Sequence, residues 1–329
     1  MKQLTDLKTE HTWLNDCPSQ SLQHAISHLD NAFTNFFKGR AEFPVFKSKK
    51  KKQSFHCPSG IKVDWENQQV FIPKLKWVKF IVSRGFNGTI RNATVSKTPT
   101  GTHFISILVE TGEKAPVKQS ITKERSVGVD VGLKDFAVLS DGTKIDNPKY
   151  LFNNLSRLRI EKRKLQRRFK KGAKEQSKNW QKQRLVVAKL YEKVASQRKD
   201  FLHKTSTAIV KQYDTIVMED LNVAGMVKNK NLSRSISDVG WAMFKDFIHY
   251  KCEWYGKNFH QIGRFEPSSR ICSECGDYNH DLKLSHREWT CKNGHVLDRD
   301  LNAARNIKNF GLSKIFREGT FPLSVNVSH

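Results

Sequence analysis

The sequence predicts an α/β fold, and three observations carry that prediction. Residues 126–131 (SVGVDV) and 214–220 (DTIVMED) alternate apolar and polar positions, as half-buried strands do. Around them lie long runs with helical spacing, at 150–171, 178–211 and 241–255. A Cys/His-rich segment at 272–295 is inserted before a last helical run at 297–312.

The chain has 329 residues, room for two or three domains with a sizeable core. Its 58 Lys and Arg against 32 Asp and Glu give a net charge of +26, far above the magnitude of about 2–8 that keeps a small domain soluble. A polyanionic partner, nucleic acid first, is the direct reading. No apolar run reaches the length of about 18 residues that a membrane helix needs, and the opening MKQLTDLKTE has no signal-peptide core. Six cysteines over this length do not make a secreted disulfide framework. A reducing, cytoplasmic setting is expected.

Taken in order, residues 18–38 form a helix. Pro18 and Ser19 open it, Leu22, Ile26, Leu29, Phe33 and Phe36 recur at helical spacing, and Gly39 ends it. His24 and His28 are i,i+4 neighbours, but no Glu lies between them as in a zinc-binding HExxH helix, and they read as a polar face. Residues 43–110 carry short β-type runs at 61–63, 70–72, 77–82, 89–95 and 103–109, punctuated by Gly, Asn and Pro, which suggests a small β-barrel. Lys47, Lys49, Lys50, Lys51, Lys52, Phe55 and Arg84 are placed there to hold a phosphate backbone and stack bases. Residues 112–125 read as a linker.

A strand block follows at 126–146, with Asp141-Gly142 as its hairpin signal. Residues 150–211 then read as two antiparallel helices. Leu151, Leu155, Leu158, Leu165 and Phe169 form the apolar stripe of the first, and Arg157, Arg163, Arg167 and Arg168 lie among its basic faces. Like charges this dense repel, so a phosphate backbone is their natural counterpart.

Four places carry chemistry. Asp130 lies in a strand on the face opposite Val127, Val129 and Val131, where a carboxylate is costly unless paired or metal-bound. Glu219 ends the second strand, where ligands gather in open α/β sheets, with Asp220 as the lower-ranked alternative. Asp298 and Asp300 open the last helix, and either reads as a cap. Cys272, Cys275, Cys291 and His295 have structural-zinc spacing, with an expected Zn–S distance of about 2.3 Å. Cys17, Cys57 and Cys252 stand alone.

If Asp130, Glu219 and Asp300 converge within about 4 Å, each pair repels by roughly 4 kcal/mol at an effective dielectric near 20. Two Mg²⁺ ions would compensate that charge and serve phosphodiester hydrolysis. No P-loop, dinucleotide fingerprint or Ser-His-Asp context offers another chemistry.

VGVDVGLKDFAVLSDG, IVMEDLNV, CSECG and DRDLNAARNI, in this order, resemble the TnpB (OrfB-type) proteins of bacterial insertion sequences, which are similar to type V CRISPR effectors. The opening LKTEHTWLND and FPVFKSKKKKQSF resemble them too. The resemblance implies a RuvC-like, RNase H-type nuclease core with an inserted zinc ribbon, preceded by a helical segment and a small β-barrel. It implies a helical recognition segment at 1–40, a wedge-like barrel at 41–120 and the core at 121–266 with the basic hairpin 150–211. The zinc ribbon then spans 267–296, the last motif and its helix 297–312, and a tail 313–329. It further implies RNA-guided DNA cleavage, with Asp130, Glu219 and Asp300 as the metal-binding catalytic triad. Asp300 is preferred over Asp298 because it holds the acidic position of the DxNAA pattern.

Two departures stand out. The family pattern places a first strand and helices ahead of this opening, so impaired guide or target binding is expected. The ribbon reads CKNGH where the family often has a second CxxCG, so His295 is the substitute fourth ligand, the alternative being a three-ligand or weak site. The competing readings are an inactive nucleic-acid-binding protein or RNA-guided repressor, and a strand-transfer transposase.

Overall fold

In the computed structural model, residues 2–48, 53–283 and 285–318 are described. The chain divides into two compact units, Met1–Lys114 and Ala115–His329.

The first unit opens with helix α1 (Lys2–Glu10), a 3-10 turn (Thr12–Asp16) and α2 (Ser19–Phe37). Helix α1 is not predicted from periodicity; α2 matches its predicted span. No residue of α2 is fully buried, so its apolar stripe is only partly covered, with Ile26 and Leu29 exposed. His24 on α2 packs against His28 and His56, with ring centroids 4.1 and 4.0 Å apart. Six strands follow: β1 (Gln53–Cys57), β2 (Lys62–Asp64), β3 (Gln69–Ile72), β4 (Lys76–Lys79), β5 (Thr89–Lys97) and β6 (His103–Glu110).

These strands correct the expectation of a barrel. They form two antiparallel sheets, β1-β5-β6 and β2-β3-β4, and among the described residues no sheet closes on itself. Strands of three or four residues in β2–β4 pair only with one another, too short to bridge the longer β5 and β6. Both sheets nevertheless share one small core of Cys57, Ile61, Val70, Ile72 and Ala93.

The second unit holds a five-stranded mixed sheet. Strands β7 (Ser126–Val131), β8 (Asp135–Leu139) and β9 (Lys144–Asp146) form an antiparallel meander. Gly142, at φ +95°, makes the left-handed turn between β8 and β9. Helices α3 (Tyr150–Arg167) and α4 (Lys178–Gln212) lead to β10 (Thr215–Glu219). Then come α5 (Val223–Met226), α6 (Ser233–Val239), α7 (Trp241–Trp254) and β11 (Asn258–Ile262). The hairpin β12 (Glu288–Thr290) and β13 (Val296–Asp298) precedes α8 (Arg299–Glu318). The strand order is β11-β10-β7-β8-β9, with β11, β10 and β7 parallel. Helix α8 runs on to Glu318, past the predicted end at 312.

Strand alternation gives this sheet two faces. Val127, Val129, Ile216 and Met218 join Leu202, Ile209, Phe244 and Ile248 of α4 and α7 in the main core. On the other face Val217 and Ile262 pack with Ile307 of α8. Two glycines allow that close approach. A Cβ on Gly128 would lie 2.1 Å from the Ala304 oxygen, and one on Gly311 would lie 2.4 Å from Cγ1 of Val217.

In the α3–α4 hairpin, Leu158 is buried, whereas Phe169 of the predicted stripe is exposed. Polar bonds do much of the joining: buried Gln183 donates to Glu161 Oε2 at 2.6 Å and accepts from Arg168 at 2.9 Å. Buried Lys251 fastens α7 to α4, donating to the His203 oxygen, Ser206 Oγ and Thr207 Oγ1, each at 2.7 Å. A buried ammonium is tolerable only with its protons so satisfied.

Candidate active site and metal centre

Strand register brings the first two acids level. Thr215 pairs with Ser126 and Met218 with Val129, so the same offset sets Glu219 beside Asp130 at the C-terminal ends of two parallel strands. Asp130 lies two residues after Gly128, and Glu219 two after Val217. Both therefore belong to the face that meets α8. Gly128 touches α8 at Ala304 and Lys308. Asp300 stands one turn before Ala304 on the same stripe, so the first turn of α8 reaches the strand ends.

The electrostatics follow from that placement. Burial pushes the Asp130 carboxyl well above the usual range, and the charges of Glu219 and Asp300 add to it. Arg299 opposes the shift and Asp298 reinforces it. Glu219 is also raised by burial, against a hydrogen bond that its Oε1 accepts from Ser268. Two carboxyls held above their normal range in one place form a site that favours a proton or a cation.

The two acids that open α8 separate cleanly. Asp298 Oδ1 accepts the N–H groups of Asp300 and Leu301 at 3.0 and 2.9 Å, which is N-cap geometry. Its Oδ2 accepts Lys144 Nζ at 2.7 Å. Burial pushes Asp298 upward, but Lys144 and these N–H groups hold it below the usual range. Asp300 instead sits inside the first turn. Its Oδ1 accepts from Arg299 at 3.1 and 2.9 Å, and Arg287 stands 3.5 Å from its Oδ2. Asp220, the alternative to Glu219, is ion-paired with Arg264 at 2.7 Å.

Cys272, Cys275, Cys291 and His295 bring their ligand atoms within 4.8 Å of one another. Sγ of Cys275 and Sγ of Cys291 are 3.7 Å apart, and Nδ1 of His295 is 3.2 Å from Cys291 and 3.7 Å from Cys272. Sulfurs about 2.3 Å from a tetrahedral ion stand about 3.8 Å from each other, so the cluster fits one ion. Backbone N–H groups are aimed at the sulfurs: His295 N lies 3.3 Å from Cys291 Sγ. The Asp277 N–H leads the effects that hold the Cys275 thiol down to about 6, which favours the thiolate that metals bind.

Arg157, Arg163 and Arg167 are exposed on α3, and Lys47 and Arg84 are exposed in the first unit. Arg168 is exposed but spends a guanidinium nitrogen on Gln183. Lys49, Lys50, Lys51 and Lys52 lie outside the described residues. Lys144, Ser268, Arg287 and Arg299, not singled out from the sequence, also lie around the acids. Arg299 had a readable signal, a cation set between two acids; the other three reach the site only through tertiary folding.

An α/β sheet with acids at its parallel strand ends and a Cys/His ribbon before the last helix defines a class of fold. It resembles that of the protein in a solved Cas12f1-sgRNA-target DNA complex, with a TM-score of 0.55 at 16% identity over 86% of this chain and 69% of that one. The OrfB_IS605 family, described as "Probable transposase", matches residues 106–230, and the "Cas12f1-like, TNB domain" family matches residues 241–307. A Streptomyces pristinaespiralis protein named "Putative RNA-guided DNA endonuclease" is 38% identical over 93% of this chain and 75% of its own length. Escherichia coli K12 "Putative RNA-guided DNA endonuclease InsQ" is 36% identical over 91% and 76%. The chain belongs to this OrfB/TnpB family of insertion-sequence proteins.

Proposed function

We propose that this protein is a transposon-encoded, RNA-guided DNA endonuclease whose Asp130, Glu219 and Asp300 hold divalent magnesium over the scissile phosphate. The observation that carries this reading is the shared face: one sheet face and one helix start bring Glu219 and Asp300, 89 residues after and 170 residues after Asp130 along the chain, within electrostatic reach of the Asp130 carboxyl. The donor set fits hard divalent cations, being all carboxylate, with Asp130 and Glu219 poorly solvated. Two such ions, when bound, neutralise these charges, activate water and stabilise the leaving oxygen. The chain's own part is to present Asp130 and Glu219 from adjacent strands, to cap and aim α8 through Asp298, and to balance charge through Lys144, Arg287 and Arg299. The Cys272, Cys275, Cys291 and His295 cluster takes one structural zinc, its four donors leaving no open position. The guide RNA and target DNA named for its relatives suit the charge of +26 and the exposed arginines of α3.

The test is cleavage of DNA matched to the RNA that co-purifies with the protein, in Mg²⁺. Cutting that Asp130→Ala abolishes supports the reading. Salt-sensitive binding with no cleavage by the wild type in any divalent metal would leave only the nucleic-acid-binding alternative, and a joined donor–target product would indicate strand transfer.

A further inference from the structure

We propose that Ser268, Asn302 and Asn306 are positioning residues that lock Glu219 to the helix carrying Asp300. This rests on the reading of Asp130, Glu219 and Asp300 as divalent-ion ligands and adds how two of them are held in place.

The bonds form one continuous chain. The Ser268 hydroxyl donates to Glu219 Oε1. The Ser268 carbonyl accepts Asn306 Nδ2 at 2.7 Å, and the same amide reaches the Ile271 oxygen at 2.6 Å. Asn302 Nδ2 donates to that Ile271 oxygen at 2.7 Å, while its Oδ1 accepts the Ser273 N–H at 2.8 Å. Ser273 lies between Cys272 and Cys275, so the same helix also grips the base of the metal ribbon.

Asn302 and Asn306 are an i,i+4 pair on α8, two and six residues after Asp300. They are 1% and 3% exposed, and Ser268 is 7% exposed. Their neighbours Ala303, Ala304 and Ile307 show that this part of α8 is otherwise apolar packing. Burying two amides there is unfavourable unless their bonds are made. Both direct their bonds to one segment, 268–273, which has little regular structure of its own.

Glu219 has a flexible side chain, and a cation binds it best when a carboxylate oxygen is already fixed. Partners that orient a metal-binding carboxylate typically change metal affinity by 10- to 100-fold when lost. The device therefore predicts a defect in metal affinity, separate from any defect in folding.

The experiment compares full-length wild type, Ser268→Ala, Ser268→Thr, Asn306→Ala and Asp130→Ala. Mn²⁺ binding is followed by electron paramagnetic resonance without nucleic acid, alongside the Mg²⁺ concentration for half-maximal cleavage and the metal-free melting temperature. Ser268→Ala should weaken Mn²⁺ binding and raise the Mg²⁺ midpoint by about 10-fold. The cleavage rate at saturating Mg²⁺ and the melting temperature should stay close to wild type. Ser268→Thr, which keeps the hydroxyl, should restore metal affinity. Asn306→Ala should shift affinity the same way and also lower the melting temperature.

An unchanged Mn²⁺ affinity and Mg²⁺ midpoint in Ser268→Ala, with Mn²⁺ binding abolished in Asp130→Ala, overturns the positioning role alone. A lowered melting temperature in Ser268→Ala with no change in metal affinity does the same, leaving a purely structural bond. Mn²⁺ binding by the wild type that Asp130→Ala does not reduce overturns both the positioning role and the acid site.

Discussion

Asp130 concentrates the electrostatic cost of the site. Its carboxyl titrates in the folded protein well above its unfolded value of about 4. Between those two values the folded state binds the extra proton. Its contribution to stability is therefore complete below about pH 4 and is lost as pH rises through the folded value. In chelator, the melting temperature of wild type relative to Asp130→Asn should fall across that window, and Mg²⁺ should reverse the fall at higher pH. Parallel melting curves for the two proteins would contradict this. For activity, Asp130→Ala and Glu219→Gln should each lose more than the roughly 100-fold typical of an outer partner. Nucleic-acid affinity should stay near wild type, because phosphate contacts carry it. Gel-shift and cleavage assays on the same preparations separate the two.

At the scale of elements, the site depends on how closely α8 lies on β7 and β10. Gly128 and Gly311 set that distance. Gly311→Ala meets the fully buried, β-branched Val217, which has little room to turn aside, and should cost about 1–3 kcal/mol by overpacking. Gly128→Ala meets the Ala304 carbonyl and the Lys308 nitrogen, which cannot shift alone, so its loss should be larger, at least about 3 kcal/mol by denaturant unfolding. The ribbon offers a second check. If the cluster holds the proposed zinc, Cys291→Ser should lower bound zinc below one ion per chain by elemental analysis and expose residues 272–295 to protease, since a metal bound there would contribute folding energy.

The strands carrying Asp130 and Glu219 were legible because period-two alternation ends on an acid in each. The ribbon was legible because its Cys and His spacing is so restricted. Asp298 and Asp300 were not separable by pattern, since both precede one helix; only the bonds to the Asp300 and Leu301 N–H groups identify the cap. The short runs at 61–109 suggested a barrel because strand length and pairing partner are not encoded locally. Ser268 and Asn306 left no local signal, since their partners lie 49 and 38 residues away.

Over the whole molecule, a net charge of +26 makes binding strongly salt-dependent. Replacing Arg157, Arg163 and Arg167 together by Gln should weaken binding to all sequences alike. It should also reduce the slope of log affinity against log salt by about 2–3, if each meets one phosphate. An unchanged slope would remove α3 from the interface. None of the described helices is long and apolar enough to cross a membrane, and the charge has its natural counterpart in phosphate.

The proposed binding of divalent cations by the three acids is tested most directly by crystals of the protein soaked in Mn²⁺ and measured for anomalous scattering. One or two peaks bounded by the carboxylates of Asp130, Glu219 and Asp300 are expected, and they should be lost in Asp130→Asn. Zinc signal at the ribbon with no Mn²⁺ peak among those acids would contradict it.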